Sequence, residues 1–321
     1  MGIAAFIAKR ALAGVVLLVL LSLLVYGLLA ISPGSAIQTL VGSRPPSPAL
    51  LRTLTAEYHL NKPFLVQYWY WLSGLVRLDL GRSISVQPDT SVVNVIVTHL
   101  TVTLQLALYS FLIMLVFGIP LGVASGIRRG KVVDRTISFG ATVGISAPAF
   151  VMSILLLYVF GVALGWFPVY GIGSGFGQRV LHLTLPAFAM AGFLVAILIR
   201  QTRAATLTVM QQDYITFARG RGLNPVRVLL RYALRNSAVP VVASAGLLLI
   251  VAITADLFVE QVFSLPGVGQ LLYTAVLDKD VPVVQGVAMA LGAMIVAINL
   301  VVDLVSLFID PRLRVSVRGG A

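Results

Sequence analysis

Very few residues of this 321-residue chain have the types and spacing that chemistry requires. The sequence has no G-x-x-x-x-G-K-[ST] loop for nucleotide phosphates, no G-x-S-x-G nucleophile motif and no H-E-x-x-H zinc motif. The glycine-rich run at 171–177 does not fit the dinucleotide-binding pattern G-x-G-x-x-G. The lack of cysteine excludes thiolate catalysis and cysteine-based metal sites. We therefore predict that the chain is not an enzyme and binds no cofactor or metal itself.

Three carboxylates, Asp256, Glu260 and Asp303, lie within or at the edges of long apolar segments. A charge inside a membrane is costly and is by default a functional hypothesis. Glu260 precedes the turn VF-x-x-P-G-x-G at the end of its segment. We treat Asp256 and Glu260 as candidate gate residues of a transmembrane pathway, and we expect Asp303 to pair with a basic loop residue.

The polar segment 211–240 has the clearest local structure signals. Asp213 can cap a short helix, Gly222 can end it in the left-handed conformation, and Pro225 prevents its continuation. A second helix is predicted to begin with Asn224 as its cap and Pro225 at its first position. The segment is therefore predicted to form two helices joined by a tight turn.

The second of these helices carries a basic stripe, since Arg227, Arg231 and Arg235 recur every fourth residue among apolar positions. One interpretation is an interfacial helix that rests on anionic lipid headgroups. The other is a docking surface for a partner protein, which the small residues Ala218 and Gly222 would allow to approach closely. The residues alone favour neither interpretation.

The composition shows what kind of elements must position these residues. Apolar residues make up 59% and charged residues 11%, and the mean hydropathy is +0.99. A soluble domain is nearer half apolar and a quarter charged, so a membrane protein is indicated. The formal charge of +12 would suggest nucleic acid in a soluble protein, but membrane proteins collect such charge in their cytoplasmic loops. We predict no nucleic-acid partner.

Six stretches are long and apolar enough to cross a bilayer. The first exceeds the apolar region of a signal peptide and is read as an uncleaved span. The predicted spans are residues 11–31, 100–126, 136–165, 184–206, 238–261 and 283–309.

The basic residues give an orientation. Sixteen of the 23 Lys and Arg residues fall on one side of these spans, and the short loops on the other side carry only Arg179 and Lys279. By the positive-inside rule both termini are cytoplasmic, and residues 33–99 form an extracytoplasmic segment that crosses largely regardless of its charge. The chain is thus predicted to be a multi-pass protein of the cell (inner or plasma) membrane.

Two features of the spans predict how they pack. Gly118, Gly122 and Gly126 recur every fourth residue, a stripe that lets another helix approach closely. Pro120 and Pro148 lie inside predicted spans, where a kink is tolerated if neighbouring helices satisfy the freed carbonyls. We interpret all five as packing residues.

The segment between spans four and five resembles the loop by which membrane subunits of ATP-binding-cassette (ABC) importers engage their ATPases. The general pattern of that loop is E-A-A-x-x-x-G followed by I-x-L-P. Ala218 and Gly222 match it, whereas Thr216 and Phe217 replace the Glu and first Ala, and Arg235 replaces the proline. The run DYITFARGRGL is similar to the form in the dipeptide/oligopeptide branch.

Further motifs support the same branch along nearly the whole chain. They are LLAISPG at 28–34, EYHLNKPFLVQYWYWL at 57–72, LDLGRS at 78–83, RRGKVVDR at 128–135, ISAPAF at 145–150, VEQVFSLPGVGQLL at 259–272, DKDVPVVQG at 278–286, and NLVVDL with DPRLR within 299–314.

The resemblance implies an all-α polytopic membrane protein, like a type I ABC importer permease, with six transmembrane helices and an external helical segment between spans 1 and 2. The implied organisation is 1–32 for the N-terminus and span 1, 33–99 for the extracytoplasmic segment, 100–310 for a five-span core with a coupling loop at 207–237, and 311–321 for a cytoplasmic tail.

The resemblance also implies a role for the first loop helix, at roughly 213–222, as the coupling helix that enters a groove of an ATPase. Phe217 and Ile215 would be apolar anchors, and Arg219 and Arg221 rim charges. The implied coupling residues are Asp213, Ile215, Phe217, Ala218, Arg219, Arg221 and Gly222.

The implied partners are a second homologous permease subunit, two ATP-binding subunits, an extracytoplasmic solute-binding protein and membrane lipids. ATP and Mg would be bound by the ATPases, and this chain would form half of a pathway for peptides. The cargo stays open among a dipeptide, an oligopeptide, glutathione, a nickel chelate and haem. The aromatic patch at 64–71 either anchors the protein among headgroups or docks the solute-binding protein.

Two other classes of function remain as alternatives. A self-contained secondary transporter or channel should have an ion site at the midplane of the membrane, and no obvious one is present. An intramembrane enzyme should have a Ser/His or paired-carboxylate constellation, which the sequence lacks.

Overall fold

A computed structural model of the chain describes residues 3–31, 55, 61–254 and 257–309. These residues form helices and turns, with one isolated bridge between Arg82 and Ser91. Two π-helical turns occur among the described residues: Leu157–Ala163 continues the helix Ala149–Leu156, and Val228–Leu234 joins the helix Pro225–Arg227 to the helix Arg235–Thr254. The helices in chain order are α1 (Ile3–Ile31), α2 (Phe64–Val76), α3 (Val92–Ile127), α4 (Val132–Ser146), α5 (Ala149–Leu156), α6 (Gly175–Met210), α7 (Asp213–Gly220), α8 (Pro225–Arg227), α9 (Arg235–Thr254), α10 (Leu257–Val262), α11 (Val268–Leu277) and α12 (Val281–Ile309).

Five helices of the described part are long and apolar enough to cross a membrane, and a bent pair raises the number to six if it is one span. The five are Ala5–Leu28, Val92–Ile127, Gly175–Met210, Pro225–Thr254 and Val281–Ile309. Each overlaps one span predicted from hydropathy, so the all-α polytopic architecture is confirmed. The helix α2 supplies the helical segment expected between the first two spans.

The observed helices extend beyond the predicted bounds because hydropathy detects only the most apolar part of each helix. The second span was predicted from residue 100, but α3 begins at Val92. Val92, Val95 and Ile96 are buried, whereas the intervening Asn94 is exposed. This first part of α3 is therefore amphipathic, and an average over its residues conceals its buried side.

The predicted third span consists of two helices. The helix α4 and the helix formed by α5 with its π-helical turn are bent by 97°. Ala147 between them is extended, with ψ 114°, and Pro148 is the N-cap residue of α5. Proline lacks an N–H and disfavours the α conformation in the residue before it. Pro148 was predicted to lie inside one span with a tolerated kink, but the helix breaks there, while α3 continues through Pro120.

The described residues cluster into two compact units. Unit 1 contains those within Met1–Ile7, Leu104–Leu265 and Ile298–Ala321, and unit 2 contains those within Ala8–Thr103 and Pro266–Ala297. Unit 1 thus includes the loop between spans four and five, and unit 2 includes the segment before α3.

In unit 1, α3 packs closely against α6 along the predicted glycine stripe. A Cβ added at Gly122 would lie 2.5 Å from Thr202 Cβ, and one added at Gly126 would lie 2.8 Å from Thr206 Cβ. Gly118 meets α6 in the same way, one turn earlier. The predicted close helix approach is confirmed.

In unit 2, the first turns of α3 pack against α11 and the start of α12. The buried residues of this core are Val92, Val95, Ile96, Val268, Leu271, Ala275, Val283 and Val287.

The aromatic patch on α2 divides into two parts. Phe64, Tyr68 and Trp71 surround Tyr26 of α1, with ring centroids 5.4–5.7 Å from the Tyr26 ring, and the Tyr68 hydroxyl lies 2.7 Å from Ser22 Oγ. Trp69 is exposed, as is the neighbouring Tyr70. Phe64 is also partly exposed, so it is available to headgroups or to a docking protein together with Trp69 and Tyr70, whereas Tyr68 and Trp71 are half-buried.

Some predicted features lie outside the described residues. They are the candidate gate residue Asp256 and the tail at 311–321.

Candidate functional site

The helix α7 is the first of the two loop helices expected after span four. It runs over Asp213–Gly220, with Gln212 as its N-cap residue and no side-chain hydrogen bond at the cap. The prediction that Asp213 caps this helix is therefore wrong, because the chain becomes helical one residue earlier than a cap at Asp213 requires. The Asp213 carboxylate instead lies in the first turn, where negative charge complements the helix dipole.

The C-terminal end of α7 follows the predicted glycine chemistry. Gly222 has a φ of +73°, a left-handed conformation that favours glycine. Its N–H donates to the Arg219 carbonyl at 2.9 Å, and the Leu223 N–H donates to the Ala218 carbonyl at 3.3 Å. The predicted end at Gly222 is confirmed.

The second loop helix also begins as predicted. Asn224 Oδ1 accepts a hydrogen bond from the Val226 N–H at 2.8 Å, and Pro225 occupies the first helical position. From Pro225 a single helix of 30 residues continues to Thr254. The second loop helix and the fifth apolar span are therefore one continuous element.

A small hydrophobic cluster fastens α7 to this long helix. Ile215, Ala218 and Val228 form its buried part, and the Ile215 side chain is 0% exposed. Ile215 and Ala218 are three residues apart, so they lie on one side of α7 and contact the next helix. Ile215 was predicted to be an anchor for a partner, but its burial makes it an anchor within the chain itself. The small Ala218 allows close approach of the chain's own helix.

The opposite side of α7 is exposed. Phe217 is 73% exposed, and Tyr214, three residues earlier on the same side, is also exposed. Asp213, Arg219 and Arg221 are exposed around them. This side carries the predicted anchor Phe217 and the predicted charges, and it adds Tyr214, which sequence reasoning missed. The i, i+3 spacing of Tyr214 and Phe217 could have shown that the two aromatic residues lie on the same side of the helix.

A buried ion pair lies in the same unit, between α4 and α6. Asp134 accepts hydrogen bonds from Arg203 Nε at 2.7 Å and Nη2 at 2.9 Å, a bidentate arrangement. It also accepts one from Ser125 Oγ at 2.5 Å and one from the Gly130 N–H at 2.8 Å. Asp134 therefore ties the end of α3, the turn after it and α4 to α6.

The Asp134–Arg203 pair was not predicted, although the motif RRGKVVDR contains the aspartate. Arg203 follows Thr202 on α6, the residue that contacts Gly122 of the glycine stripe. The pair therefore lies within the stretch of α6 that the stripe contacts, from Leu198 to Thr206, close to the end of that helix at Met210.

Unit 2 contains a second buried aspartate, Asp280, which directly precedes α12. Its Oδ2 atom accepts hydrogen bonds from Ser83 Oγ at 2.6 Å and from the backbone N–H groups of Ile84, Ser85 and Val86 at 2.9–3.0 Å. Successive N–H groups that converge in this way form an anion-binding nest. Here the occupant is a carboxylate of the same chain.

The candidate gate residues occupy different surroundings. Glu260 is fully buried in α10, and its carbonyl accepts a hydrogen bond from the Leu265 N–H at 2.9 Å. Asp256 lies outside the described residues. Asp303 is half-buried in α12. The gating role of Asp256 and Glu260 stays a prediction.

Two family profiles match the chain. The family described as "Binding-protein-dependent transport system inner membrane component" matches residues 118–315, and its N-terminal counterpart matches residues 3–107.

Curated relatives align along nearly the full length. The chain is 37% identical over 314 residues to a peptide transport system permease protein of Brucella abortus, covering 97% of this chain and 99% of the relative. It is 35% identical over 316 residues to the oligopeptide transport system permease protein AppB of Bacillus subtilis, again covering 97% and 99%.

Among solved structures, the chain is similar to the inward-facing MetNI methionine ABC transporter, with a TM-score of 0.58 and 18% identity. The alignment covers 67% of this chain and 96% of that chain, which shows a common fold. The chain therefore belongs to the family of inner-membrane components of binding-protein-dependent transport systems, and it is a multi-pass permease with the fold of type I ABC importers.

Proposed function

We propose that this chain is one of two membrane subunits of an ATP-driven peptide importer, in which it forms half of the translocation pathway. The names of the relatives from Brucella abortus and Bacillus subtilis support peptides as the cargo class. The second half would come from a homologous permease subunit. An extracytoplasmic binding protein would deliver the peptide.

The observation that carries the proposal is the two-sided construction of α7. Its inner side is buried against the chain's own helix through Ile215 and Ala218. Its outer side presents Tyr214 and Phe217, two aromatic residues of the kind enriched at interface hot spots. Arg219 and Arg221 lie around them as rim charges. A helix held rigidly on one side and exposed on the other suits transmission of a partner's movement.

The partner that we propose for this surface is one of two cytoplasmic ATPase subunits, which would bind ATP and Mg. When ATP closes the ATPases, α7 moves with the groove that holds it. Because the cluster around Ile215 joins α7 to the helix Pro225–Thr254, that movement reaches a membrane span directly. Coupling then requires that the ATP-bound ATPase binds one permease conformation better than the other.

The end of α6 moves with α7 because only Gln211 and Gln212 separate the two helices. Arg203 near this end holds Asp134 of α4. The pair would therefore extend the movement from α6 to α4. We also propose the orientation in which this loop and both termini are cytoplasmic, in agreement with the distribution of basic residues.

The test compares Phe217→Ala with the matched control Phe176→Ala, which removes an 86% exposed phenylalanine from the opposite end of α6. The assembled importer is reconstituted in vesicles, and ATP hydrolysis is measured with and without peptide-loaded binding protein. We expect Phe217→Ala to lower stimulated hydrolysis about tenfold or more, as for the loss of a hot-spot side chain. Phe176→Ala should behave like the unsubstituted protein.

Equal stimulated activity in both variants would contradict the proposed coupling surface. A separate arm places the isolated chain in vesicles under an ion gradient. Accumulation of peptide in that arm, without any ATPase, would contradict the importer-subunit proposal and would favour a self-contained secondary transporter.

A further inference from the structure

The second surface of the loop consists of three arginines, Arg227, Arg231 and Arg235, on the first turns of the helix Pro225–Thr254. All three side chains are exposed. They recur every fourth residue and follow one side of the helix, with the π-helical turn Val228–Leu234 between the first and the last. We call these three residues the arginine ladder.

Within the described residues, the ladder has no counter-charge in ion-pair contact with it. None of its three guanidinium groups pairs with a carboxylate within the part of the chain that the structure describes. Positive charge is also disfavoured at Arg227, because this residue lies in the first turn of the helix, where the dipole is positive. Both facts indicate that the arginines meet an anionic partner outside the chain.

The surroundings of the ladder on its helix show which partner fits. Val228 and Tyr232, one position after the first two arginines, pack in the cluster with α7. Val226 and Leu230, one position before Arg227 and Arg231, are each 59% exposed. Since consecutive residues are about 100° apart around a helix, the ladder lies between the side facing α7 and an exposed apolar side.

This order of sides is that of a helix at a membrane surface. The exposed apolar side suits acyl chains, the side with α7 suits the aqueous phase, and guanidinium groups between them lie at the level of the headgroups. Because the helix continues as a membrane span, the ladder runs along the helix axis through the headgroup region, which its long side chains reach from different depths. The aromatic residues Tyr214 and Phe217 belong to a different element, α7.

The length of the helix places the ladder at the same level. Thirty residues span about 45 Å, whereas the hydrocarbon core of a bilayer is about 30 Å thick. About ten residues must therefore extend into the headgroup regions or beyond them. Arg227, Arg231 and Arg235 all fall within the first eleven residues of the helix.

We propose that the arginine ladder binds the phosphate groups of anionic lipids and so fixes the base of α7 at the membrane surface. Guanidinium groups bind phosphate oxygens in a bidentate manner. The two interpretations of the basic segment then apply to different surfaces: α7 faces a protein partner and the ladder faces lipid. The proposal is independent of the ATPase, because it requires only the membrane.

The test is native mass spectrometry of the full chain, purified in detergent and titrated with phosphatidylglycerol or phosphatidylcholine. The triple variant Arg227→Gln/Arg231→Gln/Arg235→Gln is compared with the unsubstituted chain. Each basic residue near an anionic surface contributes up to roughly a fivefold preference for anionic over neutral lipid. We expect the unsubstituted chain to bind phosphatidylglycerol at least about fivefold more tightly than phosphatidylcholine. In the triple variant this affinity ratio should be at least about threefold smaller.

Two further variants separate position from net charge. The control Arg128→Gln/Arg129→Gln/Arg135→Gln removes the same charge from other exposed positions and should keep the preference. The triple lysine variant of the ladder should keep most of it. Equal losses in the ladder and control variants would overturn the proposal, as would an unchanged preference in the ladder variant. Loss of ATPase binding in the ladder variant, with its lipid preference intact, would assign the ladder to the protein partner instead.

Discussion

Two buried aspartates, one in each unit, are stabilised in different ways. Asp134 in unit 1 is neutralised by an opposite charge, the bidentate guanidinium of Arg203. Asp280 in unit 2 pairs with no cation among the described residues and is held by Ser83 and three consecutive backbone amides. One carboxylate thus depends on another side chain, and the other depends mainly on the course of the backbone.

This difference indicates different mechanical roles. The amide nest requires residues 84–86 to keep one conformation, so Asp280 fixes that turn to the start of α12. The Asp134–Arg203 pair joins two separate helices, and the Arg203 side chain is 32% exposed. Part of the Arg203 guanidinium therefore contacts water while it holds the buried Asp134. We infer that Asp280 is a permanent fastening within unit 2, whereas the Asp134–Arg203 pair links two helices and carries the movement of α6 to α4.

The largest effect on stability is expected for Asp280→Ala. The change leaves the Ser83 hydroxyl and three N–H groups without their acceptor in a buried site. A buried donor left without an acceptor costs about 1–3 kcal/mol, so the four groups together should lose at least about 3 kcal/mol. Thermal unfolding of the purified chain should show this loss.

The control for this variant is Asp278→Ala, two residues earlier, where the side chain is exposed. It should unfold at nearly the temperature of the unsubstituted chain. If both aspartate variants had the same small effect, the nest would not be a permanent fastening.

A smaller loss is expected when the ion pair is broken by Arg203→Ala. The buried Asp134 then keeps only Ser125, Gly130 and a weaker contact with Ser138. Because the Arg203 side chain is partly exposed, we expect about 2–3 kcal/mol, less than for a fully buried pair. Arg200→Ala, an exposed arginine on the same helix, serves as the control and should have little effect.

The double variant Asp134→Ala/Arg203→Ala sharpens the comparison. It should be more stable than the sum of the two single losses predicts, with a coupling of about 1–3 kcal/mol. Additive losses in unfolding experiments would show that the two side chains act independently.

The next effect concerns the glycine stripe that places α6 beside α3. In Gly122→Ala the added Cβ would lie 2.5 Å from Thr202 Cβ and 2.9 Å from the Ile199 carbonyl oxygen. Such overpacking costs about 1–3 kcal/mol. Gly192→Ala on α6 is the matched control, because an added Cβ there meets no atom within 4 Å. The control should leave the stability unchanged or raise it by up to about 1 kcal/mol, because alanine has the higher helix propensity. Equal losses of stability in Gly122→Ala and Gly192→Ala would contradict the close approach of α3 and α6.

Local sequence chemistry predicted the spans and the breaks between them. Long apolar runs admit few alternatives in a membrane, and Gly222, Asn224 and Pro225 each act on their own backbone or that of near neighbours. The same local reasoning missed the cap at Gln212, because a residue without a side-chain cap bond carries no signal.

Side chains with distant partners were not predictable in this way. Asp280 and Ser83 are 197 residues apart, and Asp134 and Arg203 are 69 residues apart. The inward direction of Ile215 depends on Val228, beyond the turn at Gly222. In an eight-residue helix the apolar positions alone do not show which side faces the chain.

The central claim is that the outer side of α7 contacts an ATPase while its inner side packs within the chain. The chain has no cysteine, so single substitutions provide unique labelling sites. Phe217→Cys and Phe176→Cys are each treated with a maleimide, first in the permease without ATPase and then in the assembled importer. We predict that both thiols react in the permease alone and that assembly slows labelling about tenfold or more at residue 217 only, as expected for a buried hot-spot position. Equal labelling of residue 217 in both states would contradict the claim.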